Sequence, residues 1–151
     1  MLETRQCLCL ASRRAARAIT RHFDRALQAH GIKATQFTLL AVLELKGPQT
    51  IGELAELLVA DRTTVTRNLA VAEAQSLVSI RSGEDARSRI ASITKEGRRT
   101  LKSAFVTWCK VQDALTQSIG SQAADSLRRL SGNPSNRLRM AKADTFRLKQ
   151  A

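Results

Sequence analysis

Residues 50–75 read TIGELAELLVADRTTVTRNLAVAEAQ and contain two short helical patterns separated by a few residues. Thr50 and Glu53 have the spacing of a capping box, in which each side chain bonds the other residue's backbone amide, so a helix begins here. Asp61 is a strong N-cap for a second helix, from about Arg62 to Gln75. Apolar residues repeat within that helix every three or four positions and are predicted to be buried: Val65, Leu69 and Ala72. Two short helices joined by so tight a turn predict a helix-turn-helix.

Two more helices are predicted upstream of this stretch. Apolar residues recur at helical spacing from about Glu3 to Ala29 and form one stripe: Leu8, Ala11, Ala15, Ile19, Phe23 and Ala26. His30-Gly31 ends this helix, because glycine readily adopts the left-handed cap conformation. The next helix runs from about Thr35 to Leu45, and Gly47-Pro48 stops it.

The spacing of apolar residues changes downstream. Residues 77–81 (LVSIR) alternate between apolar and polar as a strand does, and residues 90–93 (IASI) do so again. The segment between them is polar and has a glycine, Gly83, near the turn. We therefore predict a two-stranded β-hairpin with an extended basic tip, the form of a wing.

The rest of the chain is predicted to be helical up to a linker. Thr94 caps a long helix from about Lys95 to Ser118, and a last helix follows from about Ser121 to Leu130. The last helix is expected to bury three apolar residues: Ala124, Leu127 and Leu130. The segment Ser131-Gly132-Asn133-Pro134-Ser135 is a linker, and a basic tail follows it. The predicted fold class is mainly α, with helices and one hairpin forming a winged helix-turn-helix.

The charge balance points to a polyanionic partner. Lysine and arginine number 25 against 13 aspartate and glutamate residues, which gives a net charge of +12 and an isoelectric point near 11.0. An excess this large is typical of proteins that bind nucleic acid, because neutralised phosphates release condensed counterions.

Several other classes of protein are disfavoured by the residues. No run of about 18 apolar residues is present, and the N-terminus has no apolar signal core, so no membrane partner and a cytoplasmic location are expected. No glycine-rich phosphate loop, nucleophile elbow or zinc-binding helix motif occurs, so we expect no enzymatic activity and no cofactor. His22 and His30 are eight residues apart and form no recognisable metal site.

The second helix of the helix-turn-helix carries the side chains expected to contact DNA. A helix fits the major groove, where short polar side chains at its start reach the backbone and base edges. Thr63 and Thr64 suit phosphate or thymine-methyl contacts, Arg67 can grip guanine, and Asn68 can read adenine. In the hairpin, Arg87 is long enough to enter a minor groove, with Asp85 placed to orient its guanidinium. The candidate DNA-binding residues are Arg62, Thr63, Thr64, Thr66, Arg67, Asn68, Asp85, Arg87 and Arg89.

Taken together, these motifs resemble the MarR family of bacterial regulators. The matching segments are Thr35-Gln36-Phe37 through Leu40, Glu53-Leu54-Ala55, Asp61 through Leu69, Asp85-Ala86-Arg87 and Ile93-Thr94-Lys95-Glu96-Gly97. The resemblance covers about Cys9 to Leu130. Two positions depart from the family pattern: Ala72 stands where leucine is usual, and Ser76 stands where glycine is common. Ser76 would be mildly strained if its backbone needs a positive φ.

The resemblance implies a homodimer that represses a nearby operon from a pseudo-palindromic site on double-stranded DNA. In that organisation residues 1–151 form a single domain, with dimerisation helices at 3–30 and 95–131, a DNA-binding lobe at 35–93 and a basic tail at 132–151. It also implies release by a small ligand, often a phenolic or other carboxylate. A stripe of arginines on the first helix can pair with such a ligand: Arg14, Arg17, Arg21 and Arg25.

Two alternatives remain open at this point. Members of the family that sense organic peroxides carry a reactive cysteine near the start of the first helix, where this chain has Cys9. Nearby arginines would make such a thiol more reactive, and Cys109 is a candidate to resolve it across the dimer. Against this, the cysteines also suit small buried apolar positions. The other alternative is a winged helix that binds protein, or DNA without sequence preference.

Overall fold

The computed structural model describes residues 7–83 and 88–131. Predictions that fall on the other residues, notably Asp85, Arg87 and the basic tail, lie outside the described part of the chain. The chain divides into two compact units, Met1–Ser118 and Ile119–Ala151.

Six helices and three strands make up the described residues. The first four helices are α1 (Leu8–Leu27), α2 (Ala34–Lys46), α3 (Ile51–Leu58) and α4 (Arg62–Ala74), with a short 3-10 turn at Gln28–His30 after α1. The strands are β1 (Gln49–Thr50), β2 (Val78–Ser82) and β3 (Arg89–Ile93). The last two helices are α5 (Lys95–Ile119) and α6 (Ser121–Ser131). None of the helices in residues 7–83 and 88–131 is both long and apolar enough to cross a membrane.

Helix α2 supplies much of the core of the first unit. Apolar residues follow one another closely along it, so it is buried on most sides: Phe37, Leu39, Leu40, Val42 and Leu43. Trp108 of α5 stacks on Phe37 at a ring-centroid distance of 5.6 Å, and on Phe23 of α1 and Phe105 at 6.1 and 6.0 Å. These aromatic contacts join three helices around one indole ring.

The predicted hairpin is the main part of a three-stranded antiparallel sheet with the order β1-β3-β2. Val78 pairs with Ile93 at the open end of the hairpin, and Ser82 pairs with Arg89 at the end where the chain passes from β2 to β3. Val78, Ala91 and Ile93 are buried while Ser79 and Arg81 are exposed, which confirms the alternation expected of a half-buried hairpin. Strand β1, which we did not predict, pairs with β3.

The predicted helix caps are confirmed. Thr50 Oγ1 accepts a hydrogen bond from Glu53 N at 3.2 Å, and Glu53 Oε2 accepts one from Thr50 N at 2.7 Å. Thr94 Oγ1 accepts a hydrogen bond from Gly97 N at 2.9 Å at the start of α5. Gly31 has φ +70° after the 3-10 turn, the left-handed conformation expected of a glycine cap.

The burial predicted for the last helix is wrong for two of three residues. Ala124 is 6% exposed, but Leu127 and Leu130 are 40% and 85% exposed. Periodicity correctly marks one apolar stripe on α6, but it carries no information on whether the same chain covers that stripe.

Two residues other than glycine have a positive φ: Val59 at 50° and Ser76 at 59° in the described ranges. The strain expected at Ser76 is therefore present. Val59 is the more unfavourable of the two, because a β-branched side chain is rare in the left-handed region. It follows α3 directly and its amide bonds back to Glu56 O at 3.2 Å, so the turn between α3 and α4 imposes this conformation.

Replacing Val59 with glycine is expected to raise the free energy of unfolding by about 0.5–1 kcal/mol. The valine side chain is 68% exposed, so little packing is lost while the backbone strain is relieved. Urea denaturation of Val59→Gly and Val59→Ala would measure the effect, and the alanine variant should gain less because it keeps a Cβ. A glycine variant no more stable than the wild type would show that the turn is not strained.

Candidate nucleic-acid interface

Helix α4 begins at a charged cap that holds its first turn. Asp61 Oδ1 accepts a hydrogen bond from Thr64 N at 2.8 Å, and Asp61 Oδ2 accepts one from Thr64 Oγ1 at 2.7 Å. These bonds favour the ionised carboxylate and hold the pKa of Asp61 below its usual value. The Thr64 amide is thereby engaged within the protein and is not available to a phosphate.

Of the predicted DNA-contacting residues of α4, Thr63 and Arg67 lie opposite its buried stripe, and the other four lie on its flanks. Val65, Leu69 and Ala72 are buried and hold the helix against the core. Asn68 is half-buried, and the other five predicted residues of this helix are exposed: Arg62, Thr63, Thr64, Thr66 and Arg67. The structure thus brings six polar side chains together on one helix whose other side is fixed.

Two of these side chains, Thr64 and Thr66, form hydrogen bonds within the protein through their hydroxyl groups. The hydroxyl of Thr64 donates to the Asp61 carboxylate, and the hydroxyl of Thr66 donates to Arg62 O at 2.8 Å. These two hydroxyl protons are engaged within the protein, which leaves the threonine methyl groups as the parts most ready for contact. The Arg62 guanidinium lies back across α3, where a Cβ added to Gly52 would come within 3.2 Å of Arg62 Nη2.

Arg89 is the first residue of β3, so it lies at the end of the hairpin next to the wing tip. It is exposed and lines a crevice that it shares with Thr66 and Glu73 of α4. The start of β3 and the exposed side chains of Thr66 and Glu73 on α4 are therefore neighbours. Arg81 of β2 is also exposed. We did not include it among the candidate residues, although its place in the alternating pattern of β2 could have identified it.

The positive charge of the chain is concentrated away from the helix-turn-helix. Residues 51–74 carry two arginines and four carboxylates, whereas α1 carries five arginines and one aspartate. Two arginines against four carboxylates give residues 51–74 a net formal charge of −2, so the positive excess of the chain lies outside the helix-turn-helix.

The cap of α4 makes folding stability depend on pH. The folded-state pKa of Asp61 lies below its unfolded value of about 3.8, and that of Glu53 is lowered in the same way by its bonds to Thr50. Stabilisation by a carboxylate with a depressed pKa is present above the unfolded value and is lost as the pH falls through the folded value. We expect the Tm to fall with decreasing pH below about 4. Asp61→Asn should lower the Tm at pH 7 and weaken this acid dependence, whereas Asp113→Asn in α5 should change neither. Parallel pH profiles for Asp61→Asn and the wild type would contradict the assignment.

The three cysteines are thiols in different surroundings. Cys7 is the N-cap of α1, Cys9 lies in its first turn, and both are exposed, whereas Cys109 of α5 is partly buried. The position of Cys9 near the start of the first helix is as expected, and its reactivity stays a prediction. Among residues 7–83 and 88–131, no three His, Cys, Asp or Glu side chains form a cluster able to hold a metal ion.

Comparison with known proteins identifies the family. A sequence profile of the MarR family matches residues 30–88. The chain is 30% identical over 100 residues to YwoH of Bacillus subtilis, an uncharacterised HTH-type transcriptional regulator, covering 66% of this chain and 73% of YwoH.

Solved structures agree with this result. The M. tuberculosis transcriptional regulator MosR, in a complex with DNA, is 38% identical with a TM-score of 0.75, and the match covers 83% of this chain and 93% of MosR. The transcriptional repressor CouR, bound to a 23-mer DNA duplex, is 26% identical with a TM-score of 0.74, covering 86% and 93% of the two chains. These relatives are regulators rather than enzymes, as expected. The chain therefore belongs to the MarR family of DNA-binding transcriptional regulators.

Proposed function

We propose that this regulator is a homodimeric repressor that reads a pseudo-palindromic operator with α4 and the wing. The observation that carries the proposal is the set of polar side chains on α4, which are exposed except for the half-buried Asn68, while Val65 and Leu69 are buried and hold the helix against the core. The printed description of CouR as a repressor bound to a DNA duplex supports the repressor role. A regulator of this kind would act in the cytoplasm, where bacterial DNA lies.

The side chains on α4 and the wing have distinct parts in this proposal. Arg67 and Asn68 present donors and acceptors suited to guanine and adenine edges in the major groove. Thr63 offers a hydroxyl group to the DNA backbone, Thr64 and Thr66 offer their methyl groups to thymine, and Arg62 and Arg89 add positive charge. Asp85 and Arg87 belong to the wing tip by sequence, and their part in minor-groove contact rests on the resemblance alone.

The exposed apolar side chains support the homodimer. Large apolar residues are exposed on three helices that are outside the helix-turn-helix: Leu8 of α1, Val106 and Ile119 of α5, and Leu127 and Leu130 of α6. Helices with one apolar stripe bury it against another element. In the family organisation, the element that covers the stripes of these helices belongs to the second subunit. Two recognition helices related by a two-fold axis would then meet half-sites about one helical turn apart.

Changing Leu130 to glutamate is expected to raise the dimer dissociation constant at least tenfold, because a charge would enter an apolar interface. The fold of the chain should survive, since Leu130 is 85% exposed in the single chain. Gln122→Glu adds the same charge to an exposed position of α6 and should leave the dimer intact. Sedimentation velocity over a concentration series measures both variants, and a wild-type protein that is monomeric at micromolar concentration would contradict the dimer.

We further propose that a small phenolic or other carboxylate ligand relieves repression. The five arginines of α1 support an acidic ligand: Arg13, Arg14, Arg17, Arg21 and Arg25 are all exposed. Within the described residues none of them forms an ion pair, since the three salt bridges there involve Arg98, Arg99 and Arg128. The only acidic residue of α1, Asp24, accepts a hydrogen bond from Ala34 N at 2.8 Å. A carboxylate from outside the protein would therefore find uncompensated positive charge there.

A thiol-based signal is the second candidate. Cys9 is exposed in the first turn of α1, close in sequence to Arg13 and Arg14, and this accessibility is what a peroxide-sensing thiol requires. In this version oxidation of Cys9, with Cys109 of the other subunit as the resolving thiol, would release the operator.

The experiment that tests these proposals is selection of bound sequences from a random DNA pool, repeated with an organic peroxide and with a reducing agent. An enriched pseudo-palindrome supports the sequence-specific regulator. Reversible loss of binding on oxidation, absent in Cys9→Ser, would favour the thiol signal, and indifference to oxidant would favour a small ligand. No enriched sequence would contradict the proposal and favour a winged helix that binds protein, or DNA without sequence preference.

A further inference from the structure

A polar connection joins the end of α4 to the corner between α1 and α2. Gln75, the C-cap of α4, donates from Nε2 to Gly31 O at 3.1 Å. Its other amide atom, Oε1, accepts a hydrogen bond from Gln36 Nε2. Gln36 Oε1 in turn accepts from Lys33 N at 2.9 Å, so both ends of both glutamine amides near the corner are engaged.

The burial of Gln36 makes the geometry of these hydrogen bonds important. Gln36 is 5% exposed and is the one buried polar side chain in residues 7–83 and 88–131. An amide removed from water must keep its hydrogen-bond partners, because leaving one unpaired carries the full desolvation penalty. The apolar residues of α4 hold it against the core, but apolar contacts allow small sliding and rotation. The amide bonds of Gln75 do not, since they need both a fixed distance and a fixed angle.

The corner itself is held from its other side by α5. The ring of His30 hydrogen-bonds through Nε2 to Thr107 Oγ1 at 2.8 Å and through Nδ1 to Ser103 Oγ at 3.0 Å. Either hydroxyl can donate or accept, so both tautomers of the imidazole are accommodated. Gly31 follows directly with its left-handed backbone. The Gly31 carbonyl that accepts the hydrogen bond from Gln75 therefore belongs to a corner that is hydrogen-bonded to α5.

We propose that Gln75 is a positioning residue for DNA reading: with Gln36 it sets the orientation of α4 relative to the corner at Gly31. It touches no DNA itself and acts through the face that carries Arg67 and Asn68. This inference rests on the proposed function, in which that face reads the operator. It predicts that operator discrimination depends on the two amide bonds separately from the stability of the fold.

Two methionine variants separate positioning from stability. Gln75→Met keeps the length of the side chain but removes both of its bonds, which leaves the buried Gln36 amide without this partner. The double variant Gln36→Met with Gln75→Met removes that unpaired amide and places two apolar groups in contact, which is nearly neutral. It also removes the acceptor of Lys33 N, so its Tm should recover in part. Gln28→Met is the matched control, since Gln28 is an exposed glutamine in the 3-10 turn of the same corner.

The Tm and the affinity for operator and random DNA are measured for all three variants. Gln75→Met should lower the Tm by about 3–6 °C, and the double variant should recover at least half of that loss. Both variants should bind the operator about 5- to 20-fold more weakly than the wild type. Their affinity for random DNA should stay within about twofold of wild type. For the Gln28→Met control, both affinities should stay within the same range. Operator affinity that recovers together with the Tm, or a Gln75→Met variant that matches the control, would overturn the proposal.

A second measurement distinguishes failure of the proposed function from failure of the positioning role of Gln75. If the wild type prefers no sequence, the proposed function fails, and hydrogen exchange of the free protein then decides the positioning claim. Backbone amides of the last turn of α4 should exchange faster in both methionine variants, including the double variant whose Tm has recovered. Exchange that returns to the wild-type rate with the Tm would mean that the glutamines only stabilise the fold.

Discussion

Replacing Arg67 with alanine is expected to weaken operator binding by about 1–3 kcal/mol per half-site, or roughly 5- to 150-fold, with a much smaller loss on random DNA. The reason is geometric: a guanidinium can form two hydrogen bonds with guanine at fixed spacing, and alanine can form none. Arg67 is exposed and lies on α4 two residues after the buried Val65. It forms no salt bridge within the described residues, where the three ion pairs involve other arginines. The Tm should therefore stay within about 1–2 °C of wild type, as for other exposed substitutions.

Two further variants make the result specific. Arg67→Lys keeps the charge but loses the planar fork, so it should retain random-DNA affinity and lose most of the operator preference. Arg99→Ala removes an exposed arginine that pairs with Glu96 at 2.8 Å in α5 and should leave both affinities near wild type. Binding titrations on the selected operator and on a scrambled duplex at fixed salt measure the ratio. Equal losses on both duplexes would mean that Arg67 contacts phosphate only, and direct readout by this residue would be wrong.

The helix-turn-helix was predictable because its determinants are local. The capping box at Thr50 and Glu53 and the N-cap at Asp61 each join residues three apart, so spacing alone identifies them. The buried stripe of α4 follows from helical periodicity in the same way. The exposure of Arg67 and its neighbours is then a consequence of which side of the helix is apolar.

Features that depend on distant residues were not predictable. Strand β1 consists of two residues, Gln49 and Thr50, whose pairing with β3 uses backbone atoms, and such pairing leaves no side-chain pattern. The bond between Gln36 and Gln75 joins residues 39 positions apart. Val59 has the left-handed backbone of a helix end although valine disfavours it, so the turn geometry overrides the local preference.

The candidate site was predicted in composition better than in detail. The residue types on α4 and their common face follow from the sequence, but the engagement of the Thr64 and Thr66 hydroxyls depends on rotamers that the sequence does not specify. The net charge of +12 correctly indicated a DNA-binding protein. The location of the positive charge did not follow from the net charge, since α1 carries more of the excess of arginine than α4 does.

Gly97 is expected to be the least tolerant position outside the DNA-contacting face. Gly97→Ala should lower the free energy of unfolding by about 3 kcal/mol or more, near the upper end for overpacking a core. An added Cβ would overlap the backbone carbonyl oxygen of Leu77 and would lie 2.8 Å from Ile93 Cγ1. The carbonyl cannot move aside easily, because it accepts hydrogen bonds from Thr94 N and Thr94 Oγ1, both at 3.1 Å. The start of α5, the start of β2 and the cap of α5 therefore meet at one crowded point.

The sign of this effect makes the test decisive. In a helix without such a contact, glycine to alanine stabilises by about 1 kcal/mol, so a neutral or positive result for Gly97→Ala would refute the close approach. Gly52→Ala is the matched control in the first turn of α3, where the nearest atom to the new Cβ would be Nη2 at the flexible end of Arg62, at 3.2 Å, and Thr50 Oγ1 would lie at 3.9 Å. It should be neutral or mildly stabilising. Urea denaturation of both variants compares the two glycines directly. A loss confined to Gly97→Ala would locate the constraint in the junction that joins the wing to the long helix.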